Sequence, residues 1–167
     1  AFLLNRSSDL FTCGEVGAQA KWNNGLGARI TYAYTKEQLA KDKDGNSINN
    51  QYIPAREHAL NVRMDYDRQI SSNYGLNIGL QGRVLSGVEN VEYKDYYDVS
   101  KGTISVEYPA YTLWKLSLVQ RIGKAVKVNA ALDNLFGYKP KYYYLNSPIT
   151  DGVTFQVGVS IDIDKFF

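Results

Sequence analysis

The stretch that decides the fold is GVTFQVGVSIDIDKFF, residues 152–167. Phe155, Val157, Val159, Ile161 and Ile163 alternate with Gln156, Gly158, Ser160 and Asp162. A period of two places the first set on one side of an extended chain and the second on the other. Valine and isoleucine dominate the apolar set, and β-branched residues suit a pleated surface better than a helix. The register runs on to the terminal Phe167, with Lys165 its single break.

The same pattern recurs upstream. Val16, Ala18, Ala20 and Trp22 alternate with Glu15, Gly17, Gln19 and Lys21. Asn24-Gly25 follows, a tight-hairpin signal because both residues tolerate positive φ. Beyond it, Leu26, Ala28, Ile30, Tyr32 and Tyr34 alternate with Gly27, Arg29, Thr31 and Thr35. Leu60 to Tyr66, Leu76 to Val84, Trp114 to Leu118 and Val126 to Leu132 repeat the theme, which gives about seven strands and no helix.

The connections alternate in length. They are short near residues 23–25, 69–74 and 122–125, and long over 37–55, 87–108 and 137–151. In an up-and-down sheet, alternate connections share an end, so the long loops gather at one rim and the short turns at the other. Trp22, Tyr66, Tyr74 and Phe167 fall near the short-turn rim; Tyr32, Tyr34, Trp114 and Phe155 fall nearer the other. Such aromatic girdles mark the interfaces of a membrane barrel, and Lys165 then sits where a lysine can reach head groups. Mean hydropathy is −0.34 and no apolar run is long enough for a spanning helix, a test that strands escape because they dilute their hydrophobicity by alternation. The opposing reading is a soluble barrel with the same apolar face turned to a core. The mixed-sign polar face, with Arg29, Arg63, Asp65, Arg83, Lys115, Lys127 and Asp133, suits a hydrated lumen or an ordinary solvated surface equally well.

Three places resemble the end of a TonB-dependent receptor. Ile53-Pro54, followed by Arg56 and His58, resembles the family's entry into a late barrel strand. Asn134-Leu135-Phe136-Gly137-Tyr138 resembles its Asn-Leu-Phe signature, and residues 152–167 resemble its final strand, whose terminal aromatic is similar to a barrel-assembly signal. Asn134 can bond local backbone where its strand leaves the bilayer, with Leu135 and Phe136 at the membrane edge, so Asn134, Leu135, Phe136 and Phe167 are read as structural and assembly residues. The resemblance implies an all-β fold: an antiparallel, up-and-down transmembrane β-barrel, with residues 1–167 supplying the C-terminal strands of a barrel of about 22. It places the protein in the Gram-negative outer membrane, in contact with its lipid. It implies active import of a scarce small-molecule nutrient such as an iron-siderophore, haem or cobalamin, in partnership with a TonB-type energy-coupling protein and, on the surface, an accessory protein. The plug domain, the coupling box and a signal sequence are not among these residues and are expected upstream of Ala1. The rival functions are a passive or structural barrel (porin or adhesin) and a soluble ligand-binding barrel.

Ligand-binding candidates lie in the long connections: Tyr93, Tyr96, Tyr97, Tyr142 and Tyr143 can stack on a flat ligand or offer hydroxyls, although loop tyrosines also pack at interfaces. His58, the single histidine, heads a strand beside Arg56 and Glu57; one histidine without partners defines no metal site and reads first as a rim residue. Paired carboxylates, serine-base sets and phosphate-binding glycine loops are lacking, so neither catalytic residues nor a cofactor are expected. The residues between 87 and 108 are net acidic and read as a solvated loop. A formal net charge of +2 gives no nucleic-acid signal, and the lone Cys13 excludes an internal disulfide.

Overall fold

The computed structural model describes residues 10–38, 56–95, 97–140, 150 and 152–165. Among these residues nine strands follow one another: β1 (Leu10–Lys21), β2 (Leu26–Gln38), β3 (His58–Ser71), β4 (Tyr74–Leu85), β5 (Val88–Tyr93), β6 (Thr103–Tyr108), β7 (Tyr111–Ile122), β8 (Val126–Asp133) and β9 (Thr154–Ile161). Seven of them form one sheet in the order β1-β2-β3-β4-β7-β8-β9. Each strand of that sheet lies beside its predecessor in the chain, apart from the β5-β6 excursion, as an up-and-down meander requires. The expected all-β fold and the expected seven strands are both present.

The tight turns behave as their residues dictate. Asn24 accepts the Leu26 N–H on its side-chain oxygen at 3.1 Å, and Gly25 adopts a φ of +94°. A Cβ at residue 25 would stand 2.4 Å from the Asp67 carbonyl oxygen, so the turn requires glycine for both conformation and room.

Two expectations need correction. The stretch 87–108, read as a loop, holds the two-stranded β5-β6 sheet, paired antiparallel from Val88 opposite Tyr108 to Tyr93 opposite Thr103. The last strand is also shorter than its alternation suggests. β9 ends at Ile161, and Ile163–Lys165 form a single 3-10 turn. The reason lies in its neighbour: Val126, the first residue of β8, pairs with Ile161, and the ladder closes with the Asp162 N–H donating to the Ala125 carbonyl at 2.8 Å. Past that point β8 offers Ile163 no further partner.

The chain divides into two units, one of residues Ala1–Val16, Tyr32–Ala59 and Leu85–Tyr111, the other of Gly17–Thr31, Leu60–Val84 and Thr112–Phe167. In the first, Arg56 ties the β5-β6 stem to the head of β3: its guanidinium donates to the carbonyls of Ser86 and of Pro109, the latter at 2.9 Å, and lies 4.7 Å from the centre of the Tyr111 ring. In the second, Trp114 covers Gly82, where a Cβ would meet the indole at 2.5 Å, and donates its ring N–H to the Thr112 hydroxyl.

Little of the described sheet is buried on either face. Among the described residues the buried hydrophobic side chains are Leu85 and Tyr108 alone. The apolar face of β9 is exposed, with Val157 at 60% and Ile161 at 58%, and Val16, Ile30, Met64 and Ile78 are exposed on their own strands, whereas the apolar residues of β7 and β8 are mostly half-buried. On β8 and β9 the registers Val126–Ile161, Val128–Val159, Ala130–Val157 and Leu132–Phe155 make one continuous apolar ribbon. A soluble barrel would bury that ribbon in a core; a barrel wall in a bilayer presents it to lipid.

Candidate functional site

The polar face is ordered by strand register. The Asp67 N–H donates to the Gly25 carbonyl at 2.8 Å, and counting back along this antiparallel pair sets Arg29 opposite Arg63. Gln69 lies against Gly75 across the next pair, which sets Arg63 opposite Gln81. The Ser117 hydroxyl donates to the Gly79 carbonyl at 3.2 Å, which sets Gln81 opposite Lys115. Leu116 pairs with Leu132, so Lys115 meets Asp133, and Asp133 pairs with Thr154. Arg29, Arg63, Gln81, Lys115, Asp133 and Thr154 thus form one row across six neighbouring strands, from β2 to β9.

That row runs through a cavity of about 720 Å³, whose lining also includes Arg83, Asn61, Thr31, Asn134 and Thr150. Its charge is uneven. Lys115 Nζ bonds the Asp133 carboxylate at 3.0 Å, and Arg63 Nε lies 3.8 Å from Asp65. Arg29 and Arg83 have no ion-pair or hydrogen-bond partner among the described residues, so one end of the cavity concentrates unneutralised guanidinium. Further along the face, Arg121 reaches over Gly75 to Asp67 at 2.6 Å, linking β7 to β3. Sequence reasoning names most of these side chains as members of a polar face. It misses their convergence, because the row is a property of register.

The expected site residues are placed as follows. His58 shares the face of Tyr32 and Tyr34: its Nδ1 is 2.7 Å from the Tyr32 hydroxyl, and its ring centre lies 6.0 Å from that of Tyr32 and 5.3 Å from that of Tyr34. The histidine is therefore a neighbour of two tyrosine rings. Tyr93 closes β5, half-buried, while Tyr97 is fully exposed with its N–H on Asp95 Oδ1 at 2.9 Å. Lys101 bonds Asp95 at 2.6 Å, holding that carboxyl below the usual aspartate range, with help from the Tyr97 N–H. Tyr96, Tyr142, Tyr143, Phe167 and the Ile53-Pro54 pair lie outside the described residues.

Asn134 directly follows β8. It sits in the left-handed region at φ +53°, 8% exposed. Its Oδ1 accepts the Tyr138 N–H at 2.8 Å, while its Nδ2 donates to the Tyr138 carbonyl at 2.7 Å and to the Thr150 hydroxyl at 2.8 Å. The amide therefore closes both sides of the connection that leaves β8. The Leu135 N–H donates to the Trp114 carbonyl at 2.9 Å, extending the ladder, and the exposed Phe136 ring meets Trp114 edge-on at 6.1 Å.

The arrangement is that of a barrel wall: an apolar ribbon on one face, a hydrated basic cavity on the other, and aromatic clusters at strand ends. Comparison with curated proteins gives no match. Residues 14–135, well over half of the chain, match the family model described as TonB dependent receptor-like, beta-barrel. The chain therefore belongs to the TonB-dependent receptor β-barrel family, nutrient receptors of the Gram-negative outer membrane that work with TonB on small-molecule substrates.

Proposed function

We propose that this chain forms the C-terminal wall of a receptor that binds an iron-siderophore, haem or cobalamin and imports it actively. The family match carries the reading, and the two-faced sheet supports it: a bare apolar ribbon suits lipid, and a polar face with a cavity of about 720 Å³ suits passage or capture of a small molecule. Tyr93 and Tyr97 are the described candidates for contact with ligand from the β5-β6 hairpin. His58 is the weakest ligand candidate, since the Tyr32 hydroxyl already engages its Nδ1 and tyrosine rings flank it. Import rather than catalysis is the activity, as the family is one of transporters and receptors.

Energised uptake tests the proposal. Cells expressing the native polypeptide that carries this chain would be given labelled iron-siderophore, haem and cobalamin in turn. One of the three accumulates, and a protonophore or loss of TonB abolishes the accumulation. Flux that survives both treatments would identify a passive barrel.

A further inference from the structure

Directly opposed like charges on neighbouring strands are destabilising, and Arg29 faces Arg63, with Arg83 diagonal to it on the next strand, opposite Asn61. Asp65, at 3.8 Å from Arg63, is the nearest carboxylate on offer, and it leaves Arg29 and Arg83 without a counter-charge among the described residues. Among the described residues, the one carboxylate lining the cavity, Asp133, is engaged by Lys115 at its opposite end. Among the described residues, what the arginine end lacks is an anion. Three adjacent strands span about 10 Å, the size of one small molecule with two or three acidic groups. Guanidinium forks match carboxylate and phosphate oxygens geometrically, and the neutral side chains of Gln81 and Asn61 beside them can donate to a remaining oxygen.

We propose that Arg29, Arg63 and Arg83 form a binding subsite for a small, multiply charged anion. This rests on the reading of the chain as the wall of a nutrient receptor and narrows the ligand to one that carries carboxylate or phosphate groups. At the far side, the Lys115 ammonium at 3.0 Å neutralises Asp133.

Calorimetric titration of the detergent-purified native polypeptide with inorganic pyrophosphate and with benzene-1,3,5-tricarboxylate tests it and separates the two acid types. Binding of at least one probe is expected. Arg29→Gln, Arg63→Gln and Arg83→Gln should each weaken it roughly 10- to 100-fold, the range for losing a charged hydrogen bond, whereas the turn variant Lys124→Gln leaves it unchanged. Phenylglyoxal labelling of the unmutated protein gives a second measurement in case a variant fails to assemble: the probe should protect these three arginines. Failure of both probes to bind, equal binding by the glutamine variants, or absence of protection would overturn the proposal. Variants that lose thermal stability while neither probe binds the parent would assign the arginines to an acidic segment of the polypeptide instead. Titration reads binding alone, so intact anion binding with no energised uptake would sink the transport reading and leave this one standing.

Discussion

Asn134 combines two demands that few residues meet. Its backbone occupies the left-handed region at φ +53°, which costs most side chains about 1–2 kcal/mol, and its side chain makes three hydrogen bonds from a buried position. Asn134→Ala should destabilise the folded protein by about 1–3 kcal/mol, through loss of its three hydrogen bonds to Tyr138 and Thr150, and Asn134→Gly should recover only the backbone part. Urea titration in detergent would rank the three proteins; a glycine variant as stable as the parent would show that the amide bonds contribute little. Gly82 presents the opposite case, a position defined by what must be absent. Gly82→Ala places a methyl against the Trp114 indole and should cost about 1–3 kcal/mol, with tryptophan fluorescence reporting the displaced ring. The asparagine was legible in the sequence, since its type and its place after β8 both pointed to backbone capping. The glycine was not, because the partner that excludes a side chain lies on another strand.

At the scale of the element, the long main-sheet strands could be read in advance and the β5-β6 hairpin could not, for a specific reason. Thr103–Tyr108 alternates cleanly, with Ile104, Val106 and Tyr108 against Thr103, Ser105 and Glu107. Its partner Val88–Tyr93 does not: its apolar residues Val88, Val91 and Tyr93 fit no single face, and acidic residues between them mimic a solvated loop. Pairing in register supplies what local pattern lacks. The tip is held by Asp95, which accepts from Lys101 at 2.6 Å and from the Tyr97 N–H at 2.9 Å. Both contacts favour the ionised carboxyl and lower its proton affinity relative to the unfolded chain. A depressed acidic group stabilises fully above its unfolded value, about 3.9, and that contribution fades as pH falls through the lower folded value. Amide exchange at Tyr97 and Lys101 should therefore accelerate on acidification below about 3.9 while the main sheet stays protected. Asp95→Asn should remove that acid-dependent step.

For the whole molecule, period two specifies two faces but not which one meets the solvent, so the sequence left a lipid-facing barrel and an inside-out soluble one in competition. No local pattern chooses between them; the family match over residues 14–135 does, while exposure is shared by both faces of β9, each of whose residues is exposed. The basic cavity was hidden for the same reason, its members lying on separate strands and meeting only through register. If the apolar ribbon faces hydrocarbon, charge must be tolerated very differently at adjacent positions of β9. Val157→Arg puts a guanidinium on the ribbon near mid-strand and should cost about 2–4 kcal/mol of folding into lipid vesicles, whereas Ser160→Arg, on the polar face, should cost well under half of that. Urea-dependent folding into vesicles, followed by tryptophan fluorescence, measures both. In a soluble barrel with a packed core, Val157→Arg would be as damaging in plain buffer as in lipid, so the decisive comparison is with and without the bilayer. A penalty that appears only in vesicles and rises with their hydrocarbon content can come only from the membrane acting as solvent for that face.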